Sequence, residues 1–234
     1  MPEQRGEIDL GEIVVEKWLY TAEERSRIPA TLYRPSQRSG AIPAMVMTCG
    51  HGGSKGVPHM VYVAQAYARA GVACLLADPL GEEERYPDGS IGTRHHDRAD
   101  VAHRTERAGR SVMGKLVFDA MRGMDFLETV DWIDRERIGT AGNSLGGAVA
   151  GWLFALEPRL RLTIVSGWAF SDFLVHRAGK HCTRVANLKM RAVCDWAEYV
   201  RLGASHGGQL LIMNGDADVV IDKDSSGTVW RDTE

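Results

Sequence analysis

Nothing in the 234 residues approaches the roughly 20 consecutive apolar residues that a membrane-spanning helix requires. The longest nearly apolar run, Leu145 to Leu156, has 12 residues and contains three glycines. The N-terminus, MPEQRGEIDLGE, is polar and acidic and lacks the apolar stretch of a secretory signal. Excess positive charge is missing too. The 28 Lys plus Arg stand against 31 Asp plus Glu, a formal net charge of −3, which excludes a strongly basic nucleic-acid binder. Cysteine is scarce: Cys49, Cys74, Cys182 and Cys194 are spread widely with no C-x-x-C pair. A chain this long builds its core without disulfide staples. These absences predict a soluble protein of a reducing cytoplasm, with no nucleic-acid and no membrane partner.

What is present is an ordinary globular balance, 44% hydrophobic and 25% charged, which excludes wholesale disorder. The length admits one large domain or two small ones. Glycine is abundant, 26 residues or about 11% against a usual ~7%, so many positions are open to tight turns or close backbone approach.

Residues 1–12 read as a loose lead-in. Ile13 to Tyr20 and Ile28 to Tyr33 have strand patterns, separated by a charged turn at 22–26. From residue 43 the rhythm changes to short, continuously apolar strands alternating with helical spacing. The strands are Ala44 to Cys49, Val72 to Ala77, Ile138 to Gly142, Arg161 to Ser166 and Gln209 to Asn214; the helices are Met60 to Ala70, Ser111 to Val130 and Leu145 to Leu156. Between residues 80 and 110 lies a polar, histidine-bearing loop. This alternation predicts an α/β fold: a doubly wound, mostly parallel sheet covered on both faces, binding ligands beyond the carboxyl ends of its strands. Residues 170–206 are long for a plain crossover and read as a small cap insertion over the site.

Three segments at that edge carry chemistry. Gly142-Asn143-Ser144-Leu145-Gly146 is a complete G-x-S-x-G, preceded by a strand and followed by an apolar helix. That context suits a serine held on a sharp, strained turn above the sheet; the bland alternative is a glycine-rich turn with a bystander serine. Gly50-His51-Gly52-Gly53-Ser54-Lys55-Gly56 follows an earlier strand. Its Gly53 or Gly52 N–H, with the N–H of Leu145, suits an oxyanion hole, and no Walker A or G-x-G-x-x-G pattern supports a phosphate cradle instead. Asn214-Gly215-Asp216-Ala217-Asp218 ends the last strand. Asp218 is the expected carboxylate for orienting a histidine, with Asp216 and Asp172 as other acids, and turn formation is the competing use of such residues.

In these segments, together with DPLGEEER (78–85) and GRSVMGK (109–115), the chain resembles the α/β-hydrolase superfamily, specifically its dienelactone-hydrolase and acetylxylan-esterase-like branch. The resemblance runs from residue 43 to 221 in the family's order. It implies one α/β-hydrolase domain over 1–234 and a serine hydrolase cleaving a small carboxylic ester without a cofactor. The nucleophile falls on Ser144, the oxyanion amides on Gly53 and Leu145, and the acid on Asp218. In that family the catalytic histidine follows the acid after one more helix and strand, yet Val219 to Glu234 contain none. The expectation is therefore a chain truncated before its last helix, strand and histidine. His206 precedes a strand and would lie roughly 20 Å from the catalytic edge. His51, His176 and His181 are the other histidines considered.

His51 and Trp168 are candidates for the substrate pocket, with Phe170 and Phe173 nearby in sequence and core packing as the alternative. His95, His96, Asp97 and His103 form a cluster, but Arg94, Arg98, Arg104 and Arg107 surround it and no closed metal-ligand spacing appears, so no metal is expected. The competing functions are a peptidase or lactonase of the same fold, and a non-catalytic binding protein that keeps the pocket. The oligomeric state is not legible in the sequence.

Overall fold

The computed structural model describes residues 1–24, 26–95, 98–168, 194 and 196–215. Eight strands form one sheet. In chain order they are β1 (Glu3–Asp9), β2 (Ile13–Glu23), β3 (Ser26–Pro35), β4 (Ile42–Thr48), β5 (Ala73–Ala77), β6 (Ile133–Asn143), β7 (Leu162–Ser166) and β8 (Gln209–Met213). Their spatial order is β1-β2-β3-β5-β4-β6-β7-β8. The pairs from β1 through β3 to β5 are antiparallel, and those from β5 through β4, β6 and β7 to β8 are parallel. The expected α/β architecture is thus present, with an antiparallel flank ahead of the parallel centre.

Side-chain alternation along the central strands builds two cores. On β5, Ala73 and Leu75 face one side and Cys74 and Leu76 the other, all fully buried. The first side is covered by α3 (Val112–Leu127) and α4 (Leu145–Leu156), through residues such as Leu116, Met124, Leu127 and Leu153. The second is covered by α1 (Pro58–Arg69), through Met60, Ala64 and Ala68. Helix starts follow local chemistry. Pro58 opens α1, where its missing N–H costs nothing. Ser111 caps α3, its Oγ accepting from the Gly114 N–H at 2.9 Å. The helix α4 is apolar nearly all round because it is buried nearly all round.

Two segments differ from the sequence reading. Residues 3–9 are not a lead-in but the edge strand β1; it pairs only with β2 and is mostly exposed, so its sequence, EQRGEID, shows no apolar alternation. The loop between 80 and 110 contains a helix, α2 (Ala99–Arg107), a polar element in which Val101 is buried. Of the expected cap, Trp196–Ser205 is a helix, α5, that packs on α4: the Tyr199 and Trp152 rings lie 4.1 Å apart, and Trp196 fills the space beside Gly151. Residues 169–193 and 195 lie outside the described residues. No described helix is long and apolar enough to cross a membrane.

Candidate active site

Register brings the carboxyl ends of the central strands level. Thr48 of β4 pairs with Gly142 of β6, and Asn143 of β6 pairs with Ser166 of β7, which pairs in turn with Met213 of β8. Ser144 stands directly above this line, at the junction of β6 and α4. Its backbone adopts φ 56° and ψ −123°, a region L residues rarely occupy. Two hydrogen bonds hold it there. The Ser144 N–H donates to Ser166 O (2.9 Å), and Ser144 O accepts from the Ala148 N–H (3.0 Å). Asn143 turns outward, its Nδ2 donating to Ser166 Oγ at 3.1 Å.

The glycines of the motif are required by contact distance. A Cβ on Gly142 would stand 2.1 Å from Gly146 O and 2.2 Å from Thr48 Oγ1, and one on Gly146 would stand 2.1 Å from Thr48 O. Strand and helix therefore cross with no room for a methyl group. Thr48 Oγ1 lies 2.7 Å from Gly146 O and 3.2 Å from Ala141 O, so its hydroxyl ties the crossing to β4. Leu145 begins α4, and its N–H has no acceptor within the helix. The positive end of that helix lies at Ser144.

The glycine-rich loop after β4 meets the same serine. A Cβ on Gly50 would lie 3.9 Å from Ser144 Cβ and 3.1 Å from Asn143 O. One expectation changes here. The Gly53 N–H does not point into the site: it donates to Gly50 O at 2.9 Å, closing a four-residue turn. Gly52, the third residue of that turn, has φ +74°, the conformation such a turn demands of its third position.

The far end of this loop is clamped by charge. Lys55 Nζ lies 2.7 Å from Asp78 Oδ2, Glu83 Oε1 and Glu84 Oε1, and the Lys55 and Gly56 N–H groups donate to Asp78 (3.2 Å) and Glu83 (2.8 Å). Burial pushes the Asp78 carboxyl up to about 6, against the pull of Lys55. Among the described residues these three carboxylates are the one grouping with metal-ligand spacing, and the Lys55 ammonium already occupies its centre. The histidine cluster does not assemble among the described residues. His95 packs on Gly81 and Tyr86, His103 is exposed, and His96 and Asp97 lie outside the described residues.

A cavity of about 50 Å³ opens below the contact between loop and serine, walled by Thr48, Cys49, Gly50, Leu116, Leu145 and Val149. Burial drives the Cys49 thiol up to about 12, so it is no rival nucleophile. Trp168 is half-buried, with its Cβ 2.9 Å from where a Cβ on Gly147 would stand. His206 lies away from the site, its Nε2 3.2 Å from Ala155 O near the end of α4. Asp172, His176, His181, Asp216 and Asp218, with Phe170 and Phe173, lie outside the described residues.

Sequence reasoning missed Lys55 as a clamp and the buried Glu82, whose carboxylate gathers three amides of the segment 92–94. Glu82 and the three acids that hold Lys55 lie in one run, DPLGEEER, whose partners are 10 to 29 positions away.

Comparison with known proteins agrees with this geometry. The structure superposes on acetyl xylan esterase 1 from Thermoanaerobacterium sp. JW/SL YS485 with a TM-score of 0.71 and 18% identity, over 100% of this chain and 78% of that one. It superposes on a glucuronoyl esterase from Solibacter usitatus with a TM-score of 0.70 and 13% identity, over 100% and 72%. Both establish the α/β-hydrolase fold. In sequence, "Putative hydrolase YtaP" from Bacillus subtilis (strain 168) is 23% identical over 164 residues, 65% of this chain. The chain spans about half (52%) of the length of that curated relative. The model of the acetyl xylan esterase (AXE1) family matches residues 4–214, nine-tenths of the sequence, and the chain belongs to that family.

Proposed function

We propose that this chain is a carboxylic ester hydrolase that cleaves small esters through an acyl-enzyme on Ser144. The observation that carries the reading is the backbone of Ser144. A serine held at φ 56° and ψ −123°, at the head of a buried helix and above the parallel part of the sheet, has the backbone of a nucleophile elbow. Ser144 Oγ attacks the ester carbonyl, and its proton passes to a histidine that Asp218 orients and that Val219 to Glu234 do not supply. The tetrahedral oxyanion is met by the Leu145 N–H at the start of α4 and by the glycine-rich loop. Since the Gly53 N–H is engaged by Gly50 O, the loop's donor in this reading is the His51 amide. Loss of the alcohol leaves an acyl-serine, which water then hydrolyses. The cavity of about 50 Å³ beneath the loop suits an acyl group of a few heavy atoms, on the order of two to four carbons.

A fluorophosphonate probe and a series of p-nitrophenyl esters test this reading. Labelling of the chain and its loss in Ser144→Ala, with acetate or propionate esters cleaved in preference to octanoate, is the expected result. Labelling that persists in Ser144→Ala would remove Ser144 as nucleophile. A preference for octanoate would remove the cavity as the acyl site.

A further inference from the structure

Arg94 has no place in the proposed chemistry, yet it is held with care beside it. Its backbone has φ +49°, one of three such non-glycine residues in the described structure; Ser144 is another. A conformation that L residues avoid persists only where the surroundings enforce it. Glu82 does so here. Its fully buried carboxylate accepts from the Arg94 N–H (2.7 Å), the Gly92 N–H (2.7 Å) and the Thr93 N–H (3.0 Å). Glu82 thus spends its charge on the backbone of Arg94 and leaves the guanidinium alone.

The side chain lies over the loop that contacts Ser144. A Cβ on Gly52 would stand 3.4 Å from Arg94 Cγ and 3.5 Å from Arg94 Nε. Gly52 belongs to the same closed turn as Gly50, which abuts Ser144. At ~3.8 Å per residue, this puts the guanidinium on the order of 10 Å from Ser144. Arg94 is exposed, and among the described residues no carboxylate pairs with it. Described acids near it in sequence are engaged elsewhere: Asp88 by Ser90, Asp100 by Arg98 and Arg104, Glu82 by the three amides, and Glu83 and Glu84 by Lys55.

We infer that Arg94 is a specificity-determining residue that receives a carboxylate on the substrate, so that the preferred ester is a small one bearing an anionic group remote from its scissile carbonyl. The planar guanidinium matches a carboxylate in two parallel hydrogen bonds, and a fixed backbone lowers the entropy lost in forming them. This inference rests on the reading of Ser144 as the nucleophile for its location, not for its measurement.

The test compares 4-acetoxybenzoate with its neutral isostere 4-acetoxybenzamide in the full chain and in Arg94→Gly. Glycine accepts the positive φ without strain, so the variant keeps the loop and loses only the guanidinium. The ratio of kcat/KM for the anionic over the neutral ester should be about tenfold in the parent and fall to about one in Arg94→Gly. Arg94→Lys, which keeps the charge but not the fork, should fall between. A second measurement does not depend on turnover: binding of 4-hydroxybenzoate and 4-hydroxybenzamide to Ser144→Ala, with and without Arg94→Gly, by titration calorimetry. If neither ester is cleaved but the benzoate is still preferred through Arg94, the hydrolase reading fails and the Arg94 inference stands. A ratio that Arg94→Gly leaves unchanged, or absence of any saturable preference for the benzoate, overturns the inference.

Discussion

Replacing Lys55 by Met keeps most of the side-chain volume and removes one buried positive charge. Lys55 is 7% exposed, and the Asp78 side chain it contacts at 2.7 Å is 0% exposed. Removing one partner of such a pair leaves a carboxylate in a low-dielectric site and costs about 3–5 kcal/mol. The contact with Glu84, 62% exposed, adds at most about 1 kcal/mol because water screens it. Urea unfolding at pH 8 should therefore show Lys55→Met destabilised by about 3–4 kcal/mol with an unchanged denaturant slope. The pH dependence has a defined sign. In the parent, burial raises Asp78 from 3.8 to about 6, so its contribution is fully present below 3.8 and lost as pH rises through 6. Glu83 has the opposite sign. Burial raises it, but the bonds from Lys55 and Ser54 outweigh that and hold it below 4.5, so its contribution is lost as pH falls. Without the ammonium the main downward pull on both is gone, only the backbone bonds from residues 55 and 56 remain, and burial holds both carboxyls higher than in the parent. The deficit of Lys55→Met should then shrink between pH 8 and pH 5 as the two acids take up protons. A variant as stable as the parent at pH 8, or a deficit that grows on acidification, would refute this account of the clamp.

Gly146→Ala should lose about 2 kcal/mol or more in urea unfolding, because a methyl group 2.1 Å from Thr48 O forces β4 and α4 apart by ~1 Å and outweighs the ~1 kcal/mol of helix propensity it gains. A variant as stable as the parent would show that the crossing can open freely. Glu82→Gln presents an amide N–H toward at least one of the three backbone N–H groups and should cost about 2–3 kcal/mol. Hydrogen exchange should show the Gly92 and Arg94 amides losing protection, and unchanged protection would refute the assignment.

How far the sequence could be read follows from where each signal lies. The strands β4 to β7 and the helices α1, α3 and α4 were legible because burial leaves continuous apolar strands and periodic helices, and β8 carries the same apolar run although it is exposed to half-buried along its length. The tight strand-to-helix turn at Ser144 was legible because its steric demand is local, falling on Gly142 and Gly146, two residues either side of Ser144. β1 and α2 were not, since each has little buried surface to impose a pattern. The bond from the Gly53 amide to Gly50 O was not legible, because glycine spacing announces a turn without saying which N–H the turn consumes. Lys55 resembled a phosphate-loop lysine until its partners, 23 to 29 positions on, were seen to enclose it. Arg94 was read as one of several arginines opposing a metal ion, which is sound electrostatics. Nothing in its neighbours distinguishes it, because its confinement comes from a buried carboxylate 12 positions earlier.

The strain at Ser144 can be separated from its chemistry. Ser144 occupies the N-cap position of α4 but its side chain makes no capping bond, so Ser144→Ala loses no cap and retains the unfavourable φ and ψ. Ser144→Gly loses the same hydroxyl and relaxes the backbone, since glycine occupies φ > 0 without a steric penalty. Holding an L residue in such a region costs about 1–3 kcal/mol, and the extra freedom of glycine in the unfolded chain returns about 0.5–1 kcal/mol of that. The glycine variant should thus be about 1 kcal/mol more stable than the alanine variant. Both should be unlabelled by the fluorophosphonate. The neighbouring lattice is what sustains the cost in the parent: the Ser144 N–H bond to Ser166 O, the Ala148 bond to Ser144 O, and the close crossing of Gly142 and Gly146 over Thr48. If Ser144→Gly proves no more stable than Ser144→Ala, the backbone at this position is not strained, and the geometry that singles out Ser144 would have to be explained without it.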